Sequence, residues 1–509
     1  MKGEYICERK DIITLKVTAN NFRGLNMDKK TKIAVIGAGP AGLFACLLLS
    51  QFDVLVDVYE KGNNMIDRQL CPYETTGKCA NCPICNISSG LGGGGGRSDG
   101  KFLPSEGGNL IEILGRKKYN EYLKWASNMC LQYADMAGIA PIRYGREETE
   151  YIKECKRRAK RAGVRLEIHP IDHYGTDGAM RLFYQIENDL RHKSNVKLFF
   201  KTKVTKVLFD KRIVYSKRGA VEYDDIIIAP GRAGSNWMAQ LCMDNNIPAK
   251  FGKLIVGVRA EVPDYINDMR IGPLVEIEDD CLEGKVRYIF SKGNFVKSAK
   301  TFCECLGGVI TAEYYPGKGV AVNGHSNSMS KTRYSNVSIL LDIDPDQVEN
   351  PKEFIWDLLK SANSVGGGQP ITQTYKAFKE HRSNTQEELK AIESTKKQLF
   401  SGDLTKVFTP PMVSALVFFI EKINKVYPGF TDQLVLHGVE VKPVSFTPEM
   451  DSCFRVAPHI YVAGDGVNNT HGALPAEGNG LAVAAELLSK YSHLKETYNV
   501  LKKDHPFLP

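Results

Sequence analysis

Residues 32–60 read KIAVIGAGPAGLFACLLLSQFDVLVDVYE and carry the clearest fold signal in the chain. Their apolar pattern predicts a short β-strand, a glycine-rich turn at residues 37–42, an apolar helix and a second strand that ends at Glu60. A strand, a tight turn, a helix and a parallel strand form the βαβ unit of doubly wound sheets. The segment therefore predicts an α/β fold built around a Rossmann-like sheet.

The glycines of this turn have the spacing of a dinucleotide-binding motif. Gly37 permits the tight bend, Gly39 lets the backbone approach a pyrophosphate, and Gly42 lets the helix pack close to the strand. The helix N-terminus offers N–H groups and a positive dipole end to the phosphates. Glu60 stands where a carboxylate accepts hydrogen bonds from a ribose. We therefore predict dinucleotide contacts from Gly37, Gly39, Pro40, Ala41, Gly42 and Glu60.

The composition bounds the class of protein. The chain has 509 residues, of which 43% are hydrophobic and 25% are charged, which is ordinary for a soluble globular protein. A formal net charge of +8 is small for this length and favours solubility rather than nucleic-acid binding. No apolar run reaches membrane-spanning length, and residues 1–20 lack the apolar core of a signal peptide. We expect a cytoplasmic protein without a membrane partner, whose 13 cysteines are reduced thiols or metal ligands.

The C-terminal part of the sequence indicates which dinucleotide binds. The predicted strand at residues 460–463 ends in a glycine turn that can present Asp465 to a ribityl hydroxyl. The helix that follows can direct its positive end at a flavin carbonyl, where reduction places negative charge. An extended FAD needs such a second contact region far along the chain, whereas NAD does not. We therefore predict FAD, with contacts from Gly231, Asp465 and Gly466 in addition to those above.

The order of predicted elements divides the chain into a discontinuous dinucleotide domain and an inserted domain. Residues 225–231 (DIIIAPG) predict a buried parallel strand and a turn that return the chain to the first sheet. We expect a Rossmann-like, doubly wound FAD-binding domain with an inserted α+β substrate domain. The expected segments are an N-terminal extension at 1–30, FAD-binding parts at 31–110, 191–235 and 446–509, a helical segment at 111–190, and a substrate or cap domain at 236–445.

Several short motifs follow one another in a distinctive order. They are SDGK at 98–101, HYGTD at 173–177, APGRAG at 229–234, GVR at 257–259, TFCEC at 301–305 with GG at 307–308, and VNG at 322–324. Together with the turns described above, they resemble the FAD-dependent dehydrogenases of the glutathione-reductase-like class, also described as NAD(FAD)-utilising dehydrogenases. The similarity extends from about residue 32 to about residue 490. It implies an FAD-dependent oxidoreductase that transfers hydride or electrons between flavin and a small organic substrate.

Further cofactor contacts are expected from this reading. The glycine run at residues 90–100 lets the backbone lie against a flat ring or a phosphate, and we expect it to cover the flavin with Ser98 as a contact. The remaining expected FAD contacts are Lys61, Arg68, Val204, Gly478 and Gly480. The chain departs from the related group at Arg97, where an aromatic residue is usual, and at Glu304 and Leu306, where Met and Pro are usual.

Two residues are candidates for catalysis. Arg97, placed near the flavin ring, would favour the anionic reduced flavin through its fixed positive charge. His471 lies between the last glycine turn and the last helix, where it would serve as a proton donor at neutral pH. For both His471 and His173 the alternative is a hydrogen-bonded structural histidine.

A cysteine-rich loop at residues 71–85 has several readings. Cys71, Cys79, Cys82 and Cys85 have a spacing that is compatible with a 4Fe–4S cluster or with tetrahedral zinc. A redox disulfide between Cys82 and Cys85 and a loop of unligated thiols are the alternatives. The prediction that we favour is one metal centre bound by all four. Cys303 and Cys305 are interpreted as apolar packing or as a substrate-side feature.

The sequence leaves open both the source of electrons and two alternative functions. Only one complete dinucleotide fingerprint is present, so NAD(P)H would dock transiently, or electrons would come from the substrate, the cysteine site or an electron-transfer partner. One rival is an RNA-modifying or RNA-binding flavoprotein that uses the basic segment 156–161 (KRRAKR). The other is a flavin-binding regulatory protein that has lost turnover. We regard nucleic acid as a less favoured partner than a small molecule.

Overall fold

The computed structural model describes residues 30–69, 71–104, 108–145, 147–264, 294–442, 446–492 and 494, together with the backbone of residues 273–277. The expected N-terminal extension up to residue 29 and the last fifteen residues lie outside the described part. The α-helices are Pro40–Leu49, Pro72–Thr76, Asn109–Met136, Glu150–Ala162, Gly175–His192, Ser235–Asp244, Pro351–Val365, Tyr375–Lys379, Gln386–Ala391, Pro410–Val426 and Ala473–Ser489.

A six-stranded sheet forms the centre of the first half of the fold. Its strand Lys32–Ile36 pairs in parallel with both Leu55–Tyr59 and Asp225–Ile228, as the apolar runs predict. One edge strand is antiparallel, and the others are parallel. This arrangement confirms the predicted α/β fold with a parallel dinucleotide-binding sheet. Across the sheet the strand order is Arg455–Ala457, Ile460–Val462, Asp225–Ile228, Lys32–Ile36, Leu55–Tyr59 and Val196–Phe199.

Both faces of this sheet are buried, which explains its continuous apolar strands. One face packs on the helix Pro40–Leu49, in which every residue after Pro40 is buried, and on the helix Ala473–Ser489. The other face packs on the helix Ser235–Asp244 and on an antiparallel sheet. That three-stranded sheet consists of Gly219–Glu222, Ile213–Ser216 and Val204–Leu208.

A seven-stranded antiparallel sheet forms the centre of the second half. Its core packs against the helices Pro351–Val365 and Pro410–Val426. The strand Val296–Cys305 carries a register shift between Phe302 and Cys305, where it reaches the first half of the molecule. Its strand order is Ile371–Thr374, Val435–Lys442, Leu254–Pro263, Tyr334–Ile343, Val296–Cys305, Pro273–Ile277 and Arg165–Ile168.

Smaller groups of strands accompany the two main sheets. The strand Ile171–His173 lies between Lys101–Phe102 and Ile142–Tyr144, which places the segment after the glycine run beside the HYGTD motif. The remaining pairs are Val309–Tyr315 with Gly319–His325 and Ala249–Phe251 with Phe446–Pro448. None of the described helices combines the length and the apolar composition that are needed to cross a membrane.

Candidate functional site

A cavity lies beyond the carboxyl end of the strand Lys32–Ile36, where parallel α/β sheets bind their ligands. Many residues predicted to contact the dinucleotide line it, although they come from distant parts of the sequence. The predicted residues in its wall are Gly37, Gly39, Pro40, Ala41, Glu60, Lys61, Ser98, Gly231, Asp465 and His471.

The glycine turn has the geometry that a pyrophosphate requires. Gly37 has a φ of 103°, and a Cβ atom there would overlap the carbonyl oxygen of Ala229. By contrast, a Cβ on Gly39 would find no heavy atom closer than the Gly93 Cα at 3.9 Å. Gly39 therefore faces open space in the cavity, as does Gly231, whose added Cβ would have no neighbour within 4 Å. Because Gly39 and Gly231 have no side chains, the turn leaves room for a phosphate chain, and the residues present fit a dinucleotide.

Glu60 ties the glycine turn to the glycine run. Its buried carboxylate accepts backbone N–H groups from Ala38 at 2.9 Å, Gly62 at 2.7 Å and Gly90 at 3.0 Å. Three amide donors satisfy most of the acceptor capacity of the carboxylate, yet Glu60 still lines the cavity. The carboxylate therefore fixes the loop geometry, and its predicted contact with a ribose stays a prediction.

A second cavity adjoins the first on the far side of Glu60. Both cavities are lined by Gly37, Glu60 and Lys61, so they meet at the dinucleotide turn. Val204, another predicted contact, lines the second cavity and not the first. Its wall also contains the aromatic residues Trp237, Tyr314, Tyr315 and Trp356. Two connected cavities that flank a phosphate-sized turn suit a molecule with a flat ring at each end, as FAD has.

Arg68 supports the glycine run from beneath. Its guanidinium is fully buried and donates to the backbone carbonyls of Asn86, Ile87, Leu91 and Gly93. These bonds hold residues 86–93 in one conformation. Arg68 does not line either cavity, so it would influence the cofactor through the loop rather than by contact.

Four other predicted glycines do not line the first cavity, and three of them lie where two segments of backbone pack closely. A Cβ on Gly42 would overlap the carbonyl oxygen of Gly37, and one on Gly480 would overlap that of Ala41. A Cβ on Gly466 would lie 2.5 Å from the Gly231 carbonyl oxygen, whereas one on Gly478 would make ordinary contact with Leu123 at 3.4 Å. Gly42, Gly466 and Gly480 are thus sites of close backbone approach.

The two catalytic candidates occupy different positions. His471 lines the cavity, and burial lowers its pKa, so the neutral imidazole is favoured there. Arg97 is not in the cavity wall: its guanidinium donates to the carboxylate of Glu74 and to the backbone carbonyl of Arg68. This placement does not support the predicted contact between Arg97 and a flavin ring. Arg97 instead connects the cysteine-rich loop to the glycine run.

A buried polar cluster forms one wall of the cavity. The ammonium of Lys101 pairs with Asp99 at 2.9 Å, and both residues line the cavity. Ser326 donates to the Asp99 carboxylate, and His173 Nε2 lies 2.9 Å from the Asp99 carbonyl oxygen. Although burial raises it, the charges of Lys101 and His173 hold the pKa of Asp99 well below its ordinary value. His173 is fully buried, is hydrogen-bonded within this cluster and does not line the cavity, which is compatible with the structural role considered for it from the sequence.

Another part of the wall comes from the inserted domain, and its residues were not among the cofactor-binding or catalytic residues predicted from the sequence. Phe302, Cys303 and Glu313 line the cavity together with the dinucleotide turn. Cys303 has a φ of 46°, and it lies at the register shift of its strand, where the side chain is redirected. The TFCEC motif was the available signal, but a strand reading alone could not show which cysteine reaches the cavity.

The cysteine-rich loop does not form the predicted metal centre in this structure. Among the described residues, no group of three or more His, Cys, Asp or Glu side chains is close enough to hold a metal ion. Cys71 and Cys79 pack against an apolar cluster that includes Tyr73, and Cys85 lines the second cavity. Burial raises the pKa of Cys79 to about 11. The geometry of Cys71, Cys79, Cys82 and Cys85 thus gives no support to zinc or a 4Fe–4S cluster.

Comparisons with known proteins agree with the site. Residues 31–249 match the family model described as pyridine nucleotide-disulphide oxidoreductase, and residues 253–443 match the one described as FAD-dependent protein, C-terminal domain-like. An uncharacterized protein of Clostridium beijerinckii is 21% identical over an alignment of 486 positions, which covers 91% of this chain and 81% of that protein.

Solved structures of an oxidase and a dehydrogenase give weaker likenesses. Glycine oxidase from Geobacillus kaustophilus has a TM-score of 0.38 and 11% identity over 91% of this chain and 96% of the oxidase. L-proline dehydrogenase from P. horikoshii has a TM-score of 0.37 and 12% identity over 92% of this chain and 96% of the dehydrogenase. The family assignment rests on the two family models.

The two models follow each other along about four fifths of the chain, the first over the dinucleotide turn and the second over the inserted sheet. The chain is therefore an FAD-dependent oxidoreductase, in which residues 31–249 are similar to the pyridine nucleotide-disulphide oxidoreductases and residues 253–443 are similar to the C-terminal domain of FAD-dependent proteins.

Proposed function

We propose that this FAD-dependent oxidoreductase acts on a small organic substrate, which it holds in the cavity between the dinucleotide turn and the inserted domain. The observation that carries the proposal is one cavity lined both by the dinucleotide turn at Gly39 and by Phe302 and Cys303 of the inserted domain. Bound FAD would supply the acceptor or donor of a hydride or of electrons. The protein would bind it non-covalently, orient the substrate against it and exclude water from the space between the walls.

Asp465 is the residue that we assign to the sugar-alcohol chain of the cofactor. Its carboxylate lines the cavity and is oriented by Thr470, whose hydroxyl donates to Oδ1 at 2.7 Å, and by the Gly472 N–H at 3.3 Å from Oδ2. The helix Ala473–Ser489 has no side-chain cap at its N-terminus, and Gly472 and Ala473 line the cavity. Its first N–H groups and its positive dipole end are thus available to an electron-rich carbonyl.

His471 is the residue that we assign to proton transfer. It lies in the cavity wall next to this helix start, and burial keeps its imidazole neutral at pH 7 by lowering its pKa. A neutral imidazole accepts a proton from a substrate hydroxyl or amine and returns it in the reverse reaction. The assignment of His471 to proton transfer is kept from the sequence, but with the neutral imidazole as the acceptor of the proton instead of the donor. A catalytic role for Arg97 is not favoured by its position outside the cavity wall.

NAD(P)H is the reductant that we propose for the flavin, in the half of the catalytic cycle in which the flavin is reduced. The first family is named for pyridine nucleotides, which supports the choice. The nucleotide would dock transiently at the open cavity. An electron-transfer protein is the alternative source of electrons. Zinc or iron at the cysteine-rich loop remains a prediction, and metal analysis of anaerobically purified protein tests it.

The RNA-binding alternative is less favoured by the surface charges. On the helix Glu150–Ala162, Lys156 pairs with Glu148, and Arg157 and Arg158 both pair with Glu154. Three of the basic side chains that motivated the alternative are therefore partly neutralised. A regulatory protein without turnover is likewise not favoured, because the family is one of enzymes.

The test is anaerobic reduction of the purified holoprotein. We expect the flavin absorbance to bleach with NADH or NADPH, or with one class of small hydroxy or amino compound, and to return with an electron acceptor. His471→Gln should retain its flavin and slow the bleaching by about 100-fold or more, which is the usual effect of losing a general base or acid. An equal bleaching rate in parent and variant would contradict the role of His471.

A further inference from the structure

Among the described residues, the inserted domain contributes three to the cavity wall, and they come from two different strands. Phe302 and Cys303 lie on the strand Val296–Cys305, and Glu313 lies on the strand Val309–Tyr315. These three residues are the inserted-domain wall. Cys303 has a positive φ at a register shift of its strand, so the strand ladder is interrupted where the wall faces the cavity. Contacts other than strand pairing must therefore hold the wall in shape.

One buried arginine makes these contacts. The Arg259 guanidinium is fully buried and carries five N–H donors. It donates to the Cys303 carbonyl oxygen at 2.8 Å, to Asn323 Oδ1 at 3.2 Å, to Asn336 Oδ1 at 3.1 Å and to the two carboxylate oxygens of Glu440 at 2.8 and 3.0 Å. Five N–H donors thus meet five acceptor atoms, which fixes the guanidinium in one orientation.

Asn323 extends the connection to the third residue of the wall. Its Oδ1 atom accepts from Arg259, while its Nδ2 atom donates to Glu313 Oε2 at 3.1 Å. The next residue must be small, because a Cβ on Gly324 would lie 2.1 Å from Asn336 Oδ1 and 2.9 Å from Arg259 Nη1. The GVR, TFCEC and VNG motifs, which are far apart in the sequence, therefore meet at one guanidinium.

Charge and shape both hold the guanidinium in place. Although burial raises the pKa of Glu440, the charges of Arg259 and Lys442 lower it to about 2, so the carboxylate is ionised at pH 7. Ser338 donates to the same carboxylate at 2.7 Å. A planar guanidinium that binds both oxygens of a carboxylate fixes direction as well as charge, whereas a lysine ammonium supplies the charge alone.

We propose that Arg259 is a positioning residue, which holds the inserted-domain wall in the shape that contacts the substrate. Its bond to the Cys303 carbonyl oxygen fixes the register shift that brings Phe302 and Cys303 to the cavity. Its bond to Asn323 fixes the carboxylate of Glu313. The contact with a substrate rests on the proposed function, whereas the shape of the wall does not.

Hydrogen exchange of the purified full-length protein tests the shape of the wall. Arg259→Lys keeps a positive charge beside Glu440 but loses the planar fork and most of its donors. We expect the amide hydrogens of residues 301–308 to exchange at least about tenfold faster in Arg259→Lys than in the parent, because local opening becomes easier. Equal exchange of this segment in the parent and in a folded Arg259→Lys protein would overturn the proposal.

Glu261→Gln is the matched control. Glu261 follows Arg259 by two residues on the strand Leu254–Pro263, so it shares a face of the sheet, and it is also buried. Its carboxylate accepts hydrogen bonds from Ser394 and Thr395 instead of from the wall. We expect Glu261→Gln to speed exchange at those two residues and to leave residues 301–308 at the parent rate. If the control speeds exchange at 301–308 as much as Arg259→Lys does, the proposal is overturned.

The kinetics of flavin reduction separate positioning from stability. The probe is the hydroxy or amino compound that bleaches the parent flavin most rapidly, and rates are expressed per bound FAD. We expect Arg259→Lys to raise the concentration that gives half the maximal rate by about tenfold, and to change the maximal rate by less than about threefold. A loss of stability alone reduces the amount of loaded protein and leaves this concentration unchanged. An unchanged concentration in Arg259→Lys would overturn the positioning role.

Asn323→Asp tests the second branch and does not depend on the folding of Arg259→Lys. The half-buried aspartate still accepts from Arg259, but it cannot donate to Glu313 and repels that carboxylate. We expect the half-saturating concentration to rise in Asn323→Asp as in Arg259→Lys, and no rise would overturn the branch to Glu313. If no compound reduces the parent flavin, the proposed function fails, and hydrogen exchange alone decides whether Arg259 holds the wall.

Discussion

The backbone of Gly42 lies against that of Gly37 so closely that a Cβ atom on Gly42 would overlap the Gly37 carbonyl oxygen. This contact fixes the start of the helix Pro40–Leu49 against the turn that follows the central strand. The helix N-terminus is therefore held at the cavity by backbone packing. The glycine motif therefore permits close packing within the fold in addition to leaving space for a ligand.

Gly42→Ala should destabilise the protein even when no flavin is bound. The added methyl group would force the helix away from the turn, and overpacking of this kind costs about 1–3 kcal/mol. We expect a lower urea midpoint for the flavin-free variant than for the flavin-free parent. Gly231→Ala is the control that separates steric overlap from backbone strain, because its Cβ would meet no atom within 4 Å although its φ is positive. We expect Gly231→Ala to lower the stability less than Gly42→Ala does. Equal midpoints for Gly42→Ala and the parent would contradict the packing argument.

Glu60→Gln should also lower stability in the absence of cofactor. The carboxylate accepts three backbone N–H groups, and an amide replaces one of its oxygens with a donor that faces those N–H groups. Leaving buried donors unsatisfied costs about 1–3 kcal/mol. Chemical unfolding of flavin-free protein measures the loss. Glu222→Gln, at an exposed position, is the matched control, and a loss no larger than that of the control would contradict this role of Glu60.

Arg97→Phe should destabilise the protein without changing the chemistry of a bound flavin. The substitution removes the bonds to Glu74 and to the Arg68 carbonyl, which join the cysteine-rich loop to the glycine run. Loss of charged hydrogen bonds typically costs about 1.5–3 kcal/mol. Because the guanidinium is outside the cavity wall, we expect the flavin reduction potential to stay at the parent value. A lower potential in the variant would place Arg97 at the ring after all.

His325 should make stability depend on pH in the acidic range. Burial lowers the pKa of His325 to about 4, while its Nδ1 atom lies 3.2 Å from the Thr176 hydroxyl. Between pH 6.5 and 4 the unfolded chain binds a proton that the folded chain does not. The free energy of unfolding therefore falls with decreasing pH, by up to about 1.4 kcal/mol per pH unit from this residue.

Urea unfolding of His325→Gln at pH 7 and pH 4.5 checks this dependence. The variant should lose less stability between the two pH values than the parent does. His192→Gln, at an exposed position, should lose as much as the parent. If the loss in His325→Gln equals that in the parent, the histidine does not titrate as expected.

The parts of the fold that could be predicted are those whose signals are local. The strand, turn and helix of residues 32–49 are encoded by consecutive apolar residues and glycines, and the strand Asp225–Ile228 by four buried residues in a row. The three- and four-residue spacing of apolar residues at 109–137 and 147–163 predicts two helices, and the structure has them at Asn109–Met136 and Glu150–Ala162. In each case the residues that decide the conformation are neighbours in sequence.

The parts that could not be predicted depend on partners far apart in the chain. The position of Arg97 is set by Glu74, and the acidic residue lies on a short helix that has no strong periodic signal. Cys303 reaches the cavity because a register shift redirects it, and that shift arises from pairing with the strand Tyr334–Ile343. The alternation of side chains along an ideal strand does not indicate that a register shift will turn Cys303 toward the cavity.

The flavin content of Gly39→Val tests the central claim most directly. Gly39 faces the cavity, with Gly93 Cα the nearest heavy atom to an added Cβ at 3.9 Å, so the larger side chain should fill the phosphate space without unfolding the protein. We expect the parent to release one FAD per chain on denaturation, and the variant to unfold at a similar urea concentration while carrying little or none. A folded Gly39→Val protein that retains a full complement of FAD would contradict the account.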